Sequence, residues 1–109
     1  MAKLDKVQKS IEKWKEAPLM KLAADRDKEV RLAAIAGLGQ ISRDDGYNTL
    51  ISSLHDADPK IRAAVAHALG QLKNEHASAH LSHLLETEQD ATVKQAVQDA
   101  LHQLHSSSH

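Results

Sequence analysis

Apolar positions along the chain follow one pattern repeated three times. Val30, Ala34, Leu38 and Ile41 keep the i, i+4, i+8, i+11 spacing of a single helical face. The same spacing returns at Ile61, Val65, Leu69 and Leu72, and again at Val93, Val97, Leu101 and Leu104. A shorter apolar stretch precedes each: Leu19, Met20 and Ala23, then Leu50, Ile51 and Leu54, then Leu81, Leu84 and Leu85. Leu19, Leu50 and Leu81 stand 31 residues apart. The repeating unit is therefore a pair of helices, present in three copies.

Local chemistry marks the ends of these helices. Asp27, Asp58 and Asp90 sit where an N-cap carboxylate accepts first-turn N–H groups. Pro59 falls at the first helical position, where a missing N–H is harmless. Asp-Ala-Asp-Pro at 56–59 breaks the preceding helix, and Asp44-Asp45-Gly46 and Lys73-Asn74 mark the links between pairs. Gly39 and Gly70 lie inside helices, where Gly costs about 1 kcal/mol against Ala. Ala33, Gly37, Ala64, Ala68, Ala96 and Ala100 flank the large apolar rows. Small residues in those places predict close helix–helix crossings. One pair alone cannot bury its apolar rows, so three stacked pairs share one core.

The pattern Asp-x-x-[Val/Ile]-[Arg/Lys]-x-Ala-x-x-x-Ala-Leu-Gly, with a Leu-rich helix before it, resembles the HEAT-like repeats of the phycobilisome-lyase type over residues 18–105. The third copy departs from it, with Lys94 in place of Arg and His102 in place of Gly. The resemblance implies an all-α, right-handed α-solenoid of three HEAT-like helix pairs, spanning about 18–46, 47–76 and 77–105. It also implies a ladder in which Arg31 and Arg62 join Asp27, Asp58 and Asp90 of neighbouring repeats. In such repeats the second helix of each pair faces the concave side, where partners bind.

Ahead of the repeats, Leu4, Val7, Ile11 and Trp14 form a narrow apolar stripe with lysines around it, predicting a helix over residues 3–16 that Pro18 ends or kinks. Residues 1–17 are thus an N-terminal amphipathic capping helix; a partner-binding or dimerising helix and a membrane-surface helix are the alternatives. Three acids, Asp5, Glu12 and Glu16, interrupt its basic face. Residues 106–109 form a disordered polar tail.

On the second helices, Leu32, Ile35, Ala36, Gln40, Ala63, Ala66, His67 and Gln71 outline a shallow apolar patch edged by amides. It suits a partner helix or extended peptide, unless Leu32 and Ile35 are core beneath the cap. The corresponding third-copy residues are polar (Gln95, Gln98 and Asp99), as befits a capped end.

Composition then removes whole classes of chemistry. The 109 residues hold no Cys, one Trp, one Tyr and no Phe, so thiolate chemistry is absent and the core is aliphatic. Eight His are present, and His76, His80 and His83 share a helical face at i, i+4 and i+7; they are metal-ligand candidates or simply a solvated face. The His-Glu dipeptides by which the hydroxylase branch of the resembled family holds iron do not occur. Phosphate loops, G-x-S-x-G and H-E-x-x-H are also missing. No cofactor is implied. Net charge is −1; residues 1–31 carry nine Lys/Arg and six acids, the remainder five and nine. That is no footprint for nucleic acid. No apolar run spans a bilayer and no signal peptide opens the chain, so a cytoplasmic location is expected, without nucleic-acid or membrane partners. The reading is a non-catalytic adaptor for a protein or peptide partner, monomeric or weakly dimeric; the alternatives are an accessory subunit of a bilin-lyase-like system or a weak His-based metal binder.

Overall fold

The computed structural model describes residues 2–106, and all regular structure in them is helical. Three helix pairs follow one leading helix, α1 (Ala2–Glu12). The pairs are α2 (Glu16–Leu22) with α3 (Lys28–Ile41), α4 (Asp45–Ser53) with α5 (Pro59–Leu72), and α6 (Ala77–Thr87) with α7 (Ala91–Ser106). The first pair thus begins at Glu16 rather than at 18. Ser106 closes α7 instead of opening a tail, and residues 107–109 lie outside the described residues.

The predicted caps form. Asp27 accepts from the Glu29 N–H at 2.9 Å, Asp58 from Lys60 at 2.8 Å, and Asp90 from Thr92 at 2.8 Å. Pro59 occupies the first position of α5. The start of α4 is held differently: Glu16 reaches across from α2, and its Oε1 accepts the N–H groups of Arg43 at 2.9 Å and Gly46 at 3.0 Å. A carboxylate there complements the helix dipole. A Cβ on Gly46 would run into Ser42 Oγ and Glu16 Oε1, so only Gly leaves that path open.

Second helices pack in series, α3 on α5 and α5 on α7, while each first helix lies on its own second helix. The body is only 17 Å thick against 37 and 31 Å in its other dimensions, which is two layers of helices. This is an all-α solenoid. The core is a continuous aliphatic band from Val7 through Leu19, Leu38, Leu50, Leu69 and Leu81 to Leu104. The small residues serve the crossings foreseen for them. A Cβ on Gly39 would stand 2.8 Å from the Ala68 Cβ, and one on Gly70 would stand 3.1 Å from the Ala100 Cβ. Gln71 and Gln103 each bring Oε1 over the glycine opposite, to 3.0 and 2.5 Å of those positions.

α1 takes up the same series. It packs along α3, with Ile11 seated on Gly37 as Gly39 is on Ala68. Its length departs from expectation. The helix stops at Glu12, and Pro18 belongs to the first turn of α2, where its lack of an N–H removes nothing. The stop is a Schellman motif: the Lys15 N–H donates to the Ser10 carbonyl at 2.9 Å and the Trp14 N–H to Ile11 at 3.1 Å. Trp14 sits at the left-handed position usually given to Gly, with φ 56°. It leaves the apolar stripe entirely and is 67% exposed.

Candidate functional site

The outward row of a second helix is what remains after three faces are used. In α3 the row Val30, Ala34, Leu38, Ile41 points to the core, and Ala33 and Gly37 lie towards α1. Ile35 and Gly39, four residues apart on one face, are turned to α5. Leu32, Ala36 and Gln40 are left, and 31 residues on stand Ala63, His67 and Gln71 of α5. Leu32 and Ala63 are half-buried at the base of this strip; Ala36, Gln40, His67 and Gln71 are exposed.

Two residues of the expected patch do not belong to it. Ile35 and Ala66 are 0% exposed. Ile35 shares its face with Gly39, which is pressed on Ala68 of α5, and Ala66 shares its face with Gly70, which is pressed on Ala100 of α7. Both are therefore contacts between successive second helices. The cap over the N-terminal end is not what buries Ile35. What survives is a strip two helices wide, free of Lys, Arg, Asp and Glu, between Glu29 and Lys60 at one end and two glutamines at the other. Gln71 also bridges the helices, since its amide lies over Gly39.

The arginine ladder has a different wiring from the one implied. Arg62 Nη1 donates to the carbonyls of Asp56 and Ala57, at 2.8 and 3.1 Å, tying down the turn before its own helix. Its Nε and Nη2 then grip both oxygens of Glu88 at 2.8 and 2.9 Å, in the next repeat. These bonds hold the buried Glu88 carboxyl below the usual carboxylate range, against the opposing effect of burial. Asp25, Asp56 and Glu88 are equivalent, each accepting the N–H two residues on. Lys3 of α1 makes the corresponding pair with Asp25 at 2.8 Å and lowers its pKa. Arg31 binds the carbonyls of Asp25 and Arg26, but its buried Nε finds no partner among the described residues. Asp56 is one methylene shorter than Glu88, and Lys28 takes the neighbouring Asp58 at 2.6 Å instead. The N-capping aspartates Asp27 and Asp90 are not rungs. This wiring is architectural. The Tyr47 hydroxyl is buried without a hydrogen-bond partner among the described residues, and burial raises its pKa.

His76, His80 and His83 all point to solvent along α6, and His83 Nδ1 lies 3.7 Å from Glu86 on the same helix. Among the described residues no three His, Asp or Glu side chains converge as a metal site requires. No helix among them is long and apolar enough to cross a membrane. The feature that sequence reasoning missed is the α1–α2 corner, where the exposed Trp14 stands among lysines. Its spacing continues the stripe of Leu4, Val7 and Ile11, so periodicity alone assigned it inward.

Residues 16–102 match the family described as HEAT repeats. No curated protein matches the chain.

Proposed function

Because the chain belongs to the HEAT-repeat family, we propose that it is a non-catalytic protein-interaction module, receiving a partner helix or extended peptide on the outward strip of α3 and α5. HEAT repeats commonly mediate protein–protein contacts. The observation that carries the reading is the absence of Lys, Arg, Asp and Glu from two adjacent helical rows, Leu32, Ala36 and Gln40 beside Ala63, His67 and Gln71, in a chain where those four types make up 27%. Ala36 and Ala63 are small enough for another backbone to come close, and the glutamine amides supply donors and acceptors at the edge.

The test is affinity capture from lysate of the source organism, comparing wild type with Ala36→Lys/His67→Glu, two exposed positions that leave the core intact. A protein retained by the wild type and lost from the variant supports the assignment. Identical retention by both removes the strip from consideration.

A further inference from the structure

α1 occupies the place of a second helix in the stack. Lys3 pairs with Asp25 as Arg62 pairs with Glu88, and Ile11 meets Gly37 as Gly39 meets Ala68. In that register Ala2, Lys6, Ser10 and Lys13 stand where α3 has Val30, Ala34, Leu38 and Ile41. In α3 that row is buried against the first helix of its own pair. In α1 it lines an open cleft of about 430 Å³, together with Asp5, Lys9 and Lys15. Lys6 also borders a second cleft of about 550 Å³ that runs on to Lys21 and Arg26 at the end of α2. The two clefts meet at Lys6, and together they form a trough beside α1, a helix roughly 16 Å long for its 11 residues.

We propose that this trough docks an acidic amphipathic helix of a protein partner, in the position that the first helix of a pair takes elsewhere in the stack. This surface is separate from the α3–α5 strip. Charge selects the partner: Lys6, Lys9 and Lys13 have no carboxylate within ion-pair distance among the described residues, and Asp25 is already held by Lys3. Trp14 stands in the chain between Lys13 and Lys15, which both line the first cleft, and is the exposed large apolar residue of that corner, of the type that dominates binding hot spots. Its left-handed backbone is a conformation that Gly would adopt more cheaply, so stability does not account for a tryptophan there. A lipid surface fits less well, because Val7 is spent on the core, Ile11 on α3, and Leu4 is half-buried against the core, leaving Trp14 alone among the described residues as an exposed large apolar side chain to insert. Single-stranded nucleic acid fits less well too, since one aromatic gives no stacking platform and Asp5 lies among the lysines.

Trp14 is the only tryptophan and lies in the chain between the cleft-lining Lys13 and Lys15, so its emission reports on that corner of the site. The probes are a fluorescein-labelled helical peptide of Leu and Glu about four turns long, the same peptide with Lys for Glu, phosphatidylserine vesicles, and a single-stranded oligothymidylate. The Glu peptide is expected to saturate the protein, shift Trp14 emission to the blue in unlabelled form, and weaken as salt rises. Lys6→Glu/Lys13→Glu, at exposed positions, is expected to weaken it at least tenfold with an unchanged far-ultraviolet spectrum and melting curve. Trp14→Gly is expected to weaken it several-fold while melting at the same or a higher temperature. Ala36→Lys/His67→Glu leaves it unchanged, which separates this surface from the strip. The proposal is overturned if the Lys peptide binds as well as the Glu peptide, if neither binds at low salt, or if the folded Lys6→Glu/Lys13→Glu variant keeps full affinity. Tighter binding of vesicles or oligothymidylate than of the Glu peptide also overturns it.

Discussion

Replacing Gly39 by Ala puts a methyl group into the closest approach of α3 and α5. An ideal Cβ there lies 2.8 Å from the Cβ and 2.9 Å from the Cα of Ala68, where carbon atoms ordinarily rest at about 3.5–4.0 Å. One obstructing atom is backbone, so relief requires the helices to part, and overpacking of that kind costs about 1–3 kcal/mol. Helix propensity returns about 1 kcal/mol. The expected net loss is about 1 kcal/mol and at most about 2, or a fall in Tm of roughly 4–8 °C per kcal/mol. Gly37→Ala is the control, with the same propensity gain at a helix-interior glycine. Its nearest obstacles are Cγ1 and Cδ1 of the half-buried Ile11, at 2.8 and 2.9 Å. Leu19 Cδ1 follows at 3.2 Å; all three are side-chain rather than backbone atoms, so this variant is expected to lose less than Gly39→Ala, between about 0 and 1 kcal/mol. Both are read by urea denaturation followed at 222 nm. A Gly39→Ala protein as stable as wild type, or two variants that move together, would refute the assignment of the crossing to Gly39.

Leu38→Ala and Leu69→Ala, each removing a side chain with no exposed surface, should cost about 2–5 kcal/mol in the same assay; no loss for either would contradict the core register. Asp56→Glu adds the methylene that lets Glu88 reach Arg62, and should give Arg31 its missing partner with a gain of about 0.5–1 kcal/mol, abolished in an Arg31→Lys background. Glu88→Gln should cost about 1–3 kcal/mol at pH 7. Because the Glu88 pKa is lowered in the fold, its contribution is whole above the ordinary value of 4.5 and is lost as pH falls through the lowered one; denaturation midpoints against pH should show a shallower acid limb in the variant. Lys73→Gly, at φ 56° just past α5, should stabilise by about 0.5–1 kcal/mol, and a lower melting temperature would argue against the left-handed cap.

The three-pair architecture was legible because the apolar period, the capping aspartates and the small flanking residues all repeat at one spacing, each for its own physical reason. The exposed strip was harder to read. Leu32 and Ile35 are three residues and so about 60° apart around the helix, which a one-sided amphipathic reading treats as one face. A second helix in a stack has a neighbour on each side, and that small angle separates a half-open position from a sealed one. The ladder failed for a different cause: Arg31 and Arg62 have the same local sequence, and the difference lies one methylene away, at Asp56 against Glu88. Trp14 kept the spacing of a buried stripe while the chain turned left-handed beneath it. Propensity carries no signal for that event when the residue is not glycine.

The serial packing of second helices also sets an order of opening. Packing between successive helices of the second-helix layer widens along the chain: α1 lies on α3 through Ile11 on Gly37 and also on α2, whereas α5 and α7 share the most extensive pairing, with Gly70, Ala100 and the Gln103 amide at its centre. In a linear array each joint is broken locally rather than with the whole. Amide hydrogens of α1 are therefore expected to exchange through excursions that leave α5 and α7 folded. On that expectation α1 opens before the rest of the stack, so a ligand gripping α1 would slow exchange there first and leave the α5–α7 end unchanged.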